Sequence, residues 1–170
     1  GIAYVGPDSV PLTTSIGVLL IFIGLLFKIA AAPFQSWAPD VYQGSPTGYV
    51  GFMSSIAKVS SFIVIARLCL VSINFIIEDF NTFFLIVIIS SALIGSLFAS
   101  IQEDLKRLLA YSGVVQSGFI LSGIVSGING TSASIFYLFT YILQLIGIFI
   151  IFSIINGKLS SEFNIQSIQG

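Results

Sequence analysis

Two lysines stand inside the most apolar parts of this sequence: Lys28, at the end of a long aliphatic run, and Lys58, in the middle of another. Lys58 lies about eleven residues into a run that opens at Thr47, roughly 16 Å along a helix and close to the midplane of a hydrocarbon core about 30 Å thick. A basic side chain at such a depth costs roughly 2.5 to 3.5 kcal/mol on insertion scales. Withdrawing water from an ammonium group narrows the gap between its charged and neutral forms, so a lysine held there can take up and release a proton. Helical neighbours three and four residues away are Ser54, Ser55, Ser61 and Phe62, which puts Lys58 on a serine-lined stripe able to hold water.

Lys28 opens the second feature, the stretch FKIAAAPFQSWAPDVYQGSPTG from Phe27 to Gly48. Pro33 removes a backbone donor and disfavours helical geometry at Ala32, and Pro39 suits the first turn of a second helical piece. The sequence therefore predicts a discontinuous first helix, broken between Lys28 and Phe34, with a short second half over Pro33–Gly44. In a bilayer a broken helix beside a charge is tolerated only where protein or water surrounds it. Two plainer readings apply: a lysine pairs structurally with a carboxylate from a neighbouring chain, and the break is a packing kink at Pro33. Broken helices and midplane charges together, however, characterise the ion paths of transporters.

Composition limits the elements that can hold these groups. The 170 residues are 56% hydrophobic and 8% charged, with net charge −1 and mean hydropathy +1.07. A soluble domain carries about a quarter charged residues. The class is all-α, an integral membrane helix bundle forming a single membrane domain over residues 1–170, with length for roughly five or six crossings and no soluble catalytic domain. No basic run exists to follow a phosphate backbone, so nucleic acid is not an expected partner. One cysteine, Cys69, and no histidine leave no zinc, copper or haem ligand set, and neither a metal nor a cofactor is expected in this chain. The start, GIAYVGPDSVPLTTS, reads as loop and not as a signal peptide, and the end, NGKLSSEFNIQSIQG, reads as a polar tail. The chain is expected to be a fragment or a split part of something larger. Phe and Ile beside Ser and Asn hint at an organellar gene.

Five spans are expected, at Thr13–Ala32, Thr47–Val71, Asn81–Ile101, Asp104–Ser126 and Thr131–Ile155, the first of them discontinuous. Short loops make neighbours antiparallel. Alternation then puts Asp8, Glu78 and Asp79 on one face, and Lys106, Arg107 and Lys158 on the other, the matrix or cytoplasmic side, together with Asp40, Glu103, Asp104 and Glu162. In the fourth span Ser112, Gln116, Phe119 and Gly123 share a helical face. Gln116 can hold a hydrogen-bonded water but not an extra proton, and a membrane glutamine more often joins helices. Gly113, Gly118 and Gly123 read as close-packing positions.

At these residues the sequence resembles a family, the antiporter-like proton-pumping subunits of respiratory complex I. FKIAAAPFQSWAPDVYQGSPT resembles the broken-helix motif of the N-type member, NADH dehydrogenase subunit 2, and IAKVSSFIVIARL followed by DLKRLLAYSGVVQSGF resembles its next helices in order. The likeness covers nearly the whole chain but only the middle portion of the family's length. It implies that Lys28 is the lysine at the helix break and Lys58 the central lysine of the following helix. Ser54, Ser55, Ser61, Ser112 and Gln116 would line the proton path between them. It further implies a subunit of a proton-translocating NADH:ubiquinone reductase with no redox chemistry of its own; FMN, iron-sulfur clusters and ubiquinone would belong to other subunits. The partners would be other membrane-arm subunits, the remaining parts of the same subunit and the lipid bilayer. The location implied is the mitochondrial inner membrane, multi-pass, with a bacterial plasma membrane as the alternative.

Three positions depart from the family pattern. Gln35 and Gln116 stand where histidine is common, so the relay would depend more on water and the lysines, and Gly48 replaces a usual proline. The upstream glutamate that partners the break lysine and a later exit-side lysine are not in this chain. Two further functions remain on the sequence alone: a subunit of a multi-subunit cation/proton antiporter, which DVYQGSPT disfavours, and a non-pumping structural part of the membrane arm, which the two lysines disfavour.

Overall fold

The computed structural model of the chain describes residues 12–168 other than residue 73, and the side chains within 12–70 and 80–155. The expected placements of Asp8, Glu78, Asp79, Lys158 and Glu162 fall outside those residues and side chains. The described chain is helical: α1 (Leu12–Lys28), α2 (Trp37–Gly44), α3 (Thr47–Phe52), α4 (Lys58–Arg67), α5 (Asn74–Ser100), α6 (Leu105–Val125) and α7 (Ile128–Ile168). Two π-helical turns flank α4: Met53–Ala57 joins it to α3 in one rod, and Leu68–Ser72 follows it. Four helices are long and apolar enough to cross a membrane: Thr47–Leu70, Phe80–Ser100, Leu105–Val125 and Ile128–Ile155; α1 is a shorter apolar helix of 17 residues. The protein is an all-α membrane helix bundle.

Helix α6 is the centre, packed against α2, α4, α5 and α7. Lipid tails are as apolar as leucine, so helices in a bilayer associate through close packing and polar contacts more than through solvent exclusion. Small residues supply that closeness. A Cβ on Gly118 would lie 3.1 Å from Ser91 Cβ and 3.2 Å from Ile88 O of α5, and one on Gly123 would collide with Ser134 Oγ and lie 2.8 Å from Gly130 O of α7. One core joins Phe22 and Leu26 of α1 to Phe62 and Ile65 of α4, Phe84 of α5 and Ile120 of α6, with Phe22 edge-on to Phe84 at 5.0 Å. A second gathers Ala30, Tyr42, Val50, Tyr141 and Leu145 around the break. Leu20, Leu93 and Phe139 stay exposed on the outer surface, the surface a bilayer would wet.

Several boundaries differ from the sequence expectation. The segment Ser72 to Phe80, expected as a loop, is helical from Asn74, since its two acidic residues sit in an otherwise apolar run that continues into the span. Helix α7 begins at Ile128, ahead of the expected start at Thr131, and continues to Ile168 beyond the expected end at Ile155; it is Gly127, at φ +95°, that makes the turn. The second span contains π turns that apolar periodicity cannot reveal.

A broken helix holding two lysines

The break follows the expected place, but its anatomy is richer than a proline kink. Helix α1 ends at Lys28, the second half starts at Trp37 and not at Pro33, and residues 29–36 form the gap. Ala30 is in the left-handed region at φ +57°. Its N–H donates to Phe27 O at 3.0 Å, and the N–H of Ala31 reaches back to Leu26 O at 3.0 Å. These are the paired bonds of a Schellman motif, which normally carries glycine at the left-handed position. An alanine there costs roughly 1–2 kcal/mol, and the enclosing helices hold it.

Several backbone groups freed by the gap find side chains. In an intact helix Ile29 O would accept from the N–H of residue 33, but Pro33 has none; Ser117 Oγ of α6 lies 3.0 Å away and can donate instead. The N–H of Ala32 donates to Ser91 Oγ at 2.9 Å, and Ser90 Oγ donates to Ala32 O at 3.3 Å. Trp37 Nε1 donates to Phe27 O at 2.9 Å while its ring stacks on Phe27. The rule that a membrane helix satisfies its backbone internally or through neighbours is thus met by α5 and α6. Beyond the break, Arg107 pairs with Asp40 at 2.6 Å and also donates to Gln43, Lys106 Nζ donates to Ser45 O, and Asp104 caps α6. The end of α2 is thereby fastened to the start of α6.

Lys58 is the first residue after a π turn, and π turns recur at functional positions in helices. It is 3% exposed and its Nζ donates to Gly113 O of α6 at 3.2 Å. Gly113 makes room for this head group. A Cβ there would lie 2.9 Å from Lys58 Nζ and 3.1 Å from the Tyr141 hydroxyl of α7, so three helices bring polar groups to one point. Among the described residues no carboxylate pairs with Lys58. Lys28 is exposed at the end of α1, also without an ion pair among the described residues.

The serine stripe beside Lys58 is buried, but its hydroxyls turn back on their own helix. Ser54 and Ser55 donate to Gly51 O and Ser61 donates to Ala57 O. On α6 the stripe of Ser112, Gln116, Phe119 and Gly123 is not the inward face: Phe119 is 55% exposed, whereas Gly113, Val114, Ser117, Gly118 and Leu121 are buried. Gln116 accepts a hydrogen bond from the Tyr137 hydroxyl of α7 and joins helices there, outside the space between the lysines. Gln35 lies in the gap with its Oε1 buried and unpartnered among the described residues.

Ser90, Ser91 and Ser117 did not stand out as site residues in the sequence. The available signal was their depth: each sits mid-span in an apolar helix, where a hydroxyl must find an acceptor or donor. Their joint effect is a polar line across three elements, running from Lys58 Nζ to Gly113 O, then Ser117 Oγ, then Ile29 O next to Lys28.

Residues 8–170 match the family described as NADH:quinone oxidoreductase/Mrp antiporter, TM. The chain belongs to that family. Similar proteins include the chloroplastic NAD(P)H-quinone oxidoreductase subunit 2 of Mesostigma viride, 39% identical over 86% of this chain and 30% of the relative. NADH-quinone oxidoreductase subunit N of Beutenbergia cavernae is 40% identical over 89% of this chain and 29% of its own length. NAD(P)H-quinone oxidoreductase subunit 2 of Crocosphaera subtropica is 37% identical over 88% and 29%. The chain spans less than a third of the length of these relatives. The likeness to subunit 2, or subunit N, over part of its length agrees with the motif resemblance in the sequence.

Proposed function

We propose that this chain is part of a proton-translocating membrane-arm subunit of NADH:ubiquinone oxidoreductase, with Lys58 as its central proton carrier and Lys28 as the carrier at the helix break. The observation that carries the reading is the burial of Lys58 at 3% exposure in a membrane-spanning helix, held by a carbonyl and no carboxylate among the described residues. A charge so placed is costly, and ionisable residues at such depth mark ion and proton paths. Ser54, Ser55 and Ser61, buried beside Lys58, would line that path, and the break at Pro33 would admit water to it; Ser112 and Gln116, on the outer side of α6, stay off it. An acidic partner for Lys28 would come from another chain or segment. The remaining parts of the subunit and the neighbouring membrane-arm subunits are its proposed partners, and electron transfer through FMN, iron-sulfur clusters and ubiquinone would take place in other subunits. The proposed location is the mitochondrial inner membrane; the bacterial relatives support the plasma-membrane alternative.

The test is Lys58→Met in the assembled complex, which keeps bulk and removes the proton site. NADH-driven proton uptake into inside-out membrane vesicles should fall, with the coupled electron-transfer rate, while NADH oxidation by an artificial acceptor stays intact. Undiminished pumping by a fully assembled Lys58→Met complex would leave Lys58 a structural residue.

A further inference from the structure

Ser117 occupies a position whose hydrogen bonds cannot all exist at once. Ser117 is 1% exposed, and its hydroxyl carries one proton. Two carbonyls compete for that proton: Ile29 O at 3.0 Å, orphaned by Pro33, and Gly113 O at 2.8 Å, one turn back on α6. Gly113 O has two lone pairs. One serves the helical N–H of residue 117, and the other is contested between Ser117 Oγ and Lys58 Nζ, 3.2 Å away.

We propose that Ser117 is a positioning residue that links the charge state of Lys58 to the backbone of the helix break beside Lys28; this rests on the proton-path reading of Lys58 given above. With Lys58 charged, its ammonium takes the free lone pair of Gly113, because a charge-assisted hydrogen bond is roughly twice as strong as a neutral one. The Ser117 hydroxyl then turns to Ile29 O and closes the break. When Lys58 is neutral its amine donates more weakly, Gly113 O becomes available, and the hydroxyl turns back to it. Ile29 O is left without a donor in a buried gap, a state relieved only by water or by movement of residues 29–36. No covalent bond changes: the hydroxyl keeps its proton and rotates about Cβ–Oγ. Proton loss at Lys58 thus loosens the segment that follows Lys28, and proton gain tightens it.

The test uses the assembled complex in inside-out membrane vesicles, with NADH-driven proton uptake as the readout and complex content measured on native gels. Ser117→Ala should lower the initial uptake rate by about five-fold or more, the lower end of ordinary coupling between sites, and Ser117→Thr, which keeps the hydroxyl, should restore it. In a Lys58→Met background Ser117→Ala should cause no further loss, since a residue acting through Lys58 has nothing left to act on. Should Ser117→Ala fail to assemble, Ser117→Cys keeps the volume with a weak donor and should pump at a reduced rate; wild-type pumping by it overturns the proposal. Normal pumping by Ser117→Ala beside a defective Lys58→Met overturns this inference and leaves the function standing. Independent, multiplying losses in the double variant assign Ser117 a structural role and also overturn it. Undiminished pumping by Lys58→Met removes the proposed function itself.

Discussion

Replacing Ser91 by alanine tests the claim that side chains from other helices stabilise the break. Ser91 is fully buried, and its Oγ accepts from the Ala32 N–H at 2.9 Å. Ser91→Ala removes that oxygen and leaves the Cβ that packs against Gly118. The Ala32 N–H then remains buried without a partner, at a cost of about 1–3 kcal/mol. Expressed as an equilibrium, that favours local opening of residues 29–36 by roughly 5- to 140-fold. Amide hydrogen exchange followed by mass spectrometry, on the complex in lipid nanodiscs, reads this directly, because exchange of protected amides reports local opening. Peptides covering the break should exchange faster by that factor, while peptides from the middle of α6 should not change. Ser96→Ala on the same helix is the control. Ser96 is exposed and its hydroxyl donates to Leu93 O of its own turn, so exchange at the break should stay as in the wild type. Unchanged exchange at the break in Ser91→Ala would refute the reasoning, since the Ala32 amide would then not depend on Ser91.

Two further changes probe the packing around the same elements. Gly123→Ala should destabilise the α6–α7 contact by about 1–3 kcal/mol, the usual cost of overpacking, because the new methyl would lie 2.8 Å from Gly130 O and against Ser134 Oγ; a lowered thermal midpoint of the assembled complex is the measurement, and an unchanged midpoint counts against so close an approach. Trp37→Phe keeps an aromatic ring to stack on Phe27 but loses the Nε1 bond to Phe27 O, so it should cost about 1 kcal/mol. The same thermal assay checks it, and an unchanged midpoint beside a lowered one in Trp37→Ala would show that stacking alone carries the contact.

The parts of this architecture that were legible in the sequence are those written in a single residue. Lys58 and Lys28 stand out because a cation in an apolar run is rare, and Pro33 stands out because its ring removes a donor wherever it is placed. The break was therefore foreseen within a few residues. Its start was not: the helix stops at Lys28 because Ala30 takes a left-handed conformation that the sequence normally marks with glycine. Nothing in an alanine announces this. The inward face of α6 was missed for a related reason. Its buried side is lined by Gly113, Ser117 and Gly118, residues of small volume and low contrast, whereas Ser112 and Gln116 formed the more conspicuous polar stripe.

The partners of the break could not be foreseen because the need and the remedy lie far apart in the chain. Pro33 creates an orphaned carbonyl at Ile29, and the donor that answers it sits 88 residues away on α6. Ala32 is answered by Ser90 and Ser91, nearly 60 residues away on α5. In a soluble protein water could solvate such groups, and the serines would be free to vary without consequence for the break. In a bilayer the unsatisfied group has no such recourse, so one proline imposes requirements on two other helices. The same constraint explains why the polar line ends at Lys58. The serine that satisfies Ile29 O stands on α6, and one turn earlier on that face is Gly113, whose carbonyl and missing side chain admit Lys58 Nζ. The broken helix and the buried lysine thus share one helical face of α6, and a change at either is transmitted to the other through Ser117.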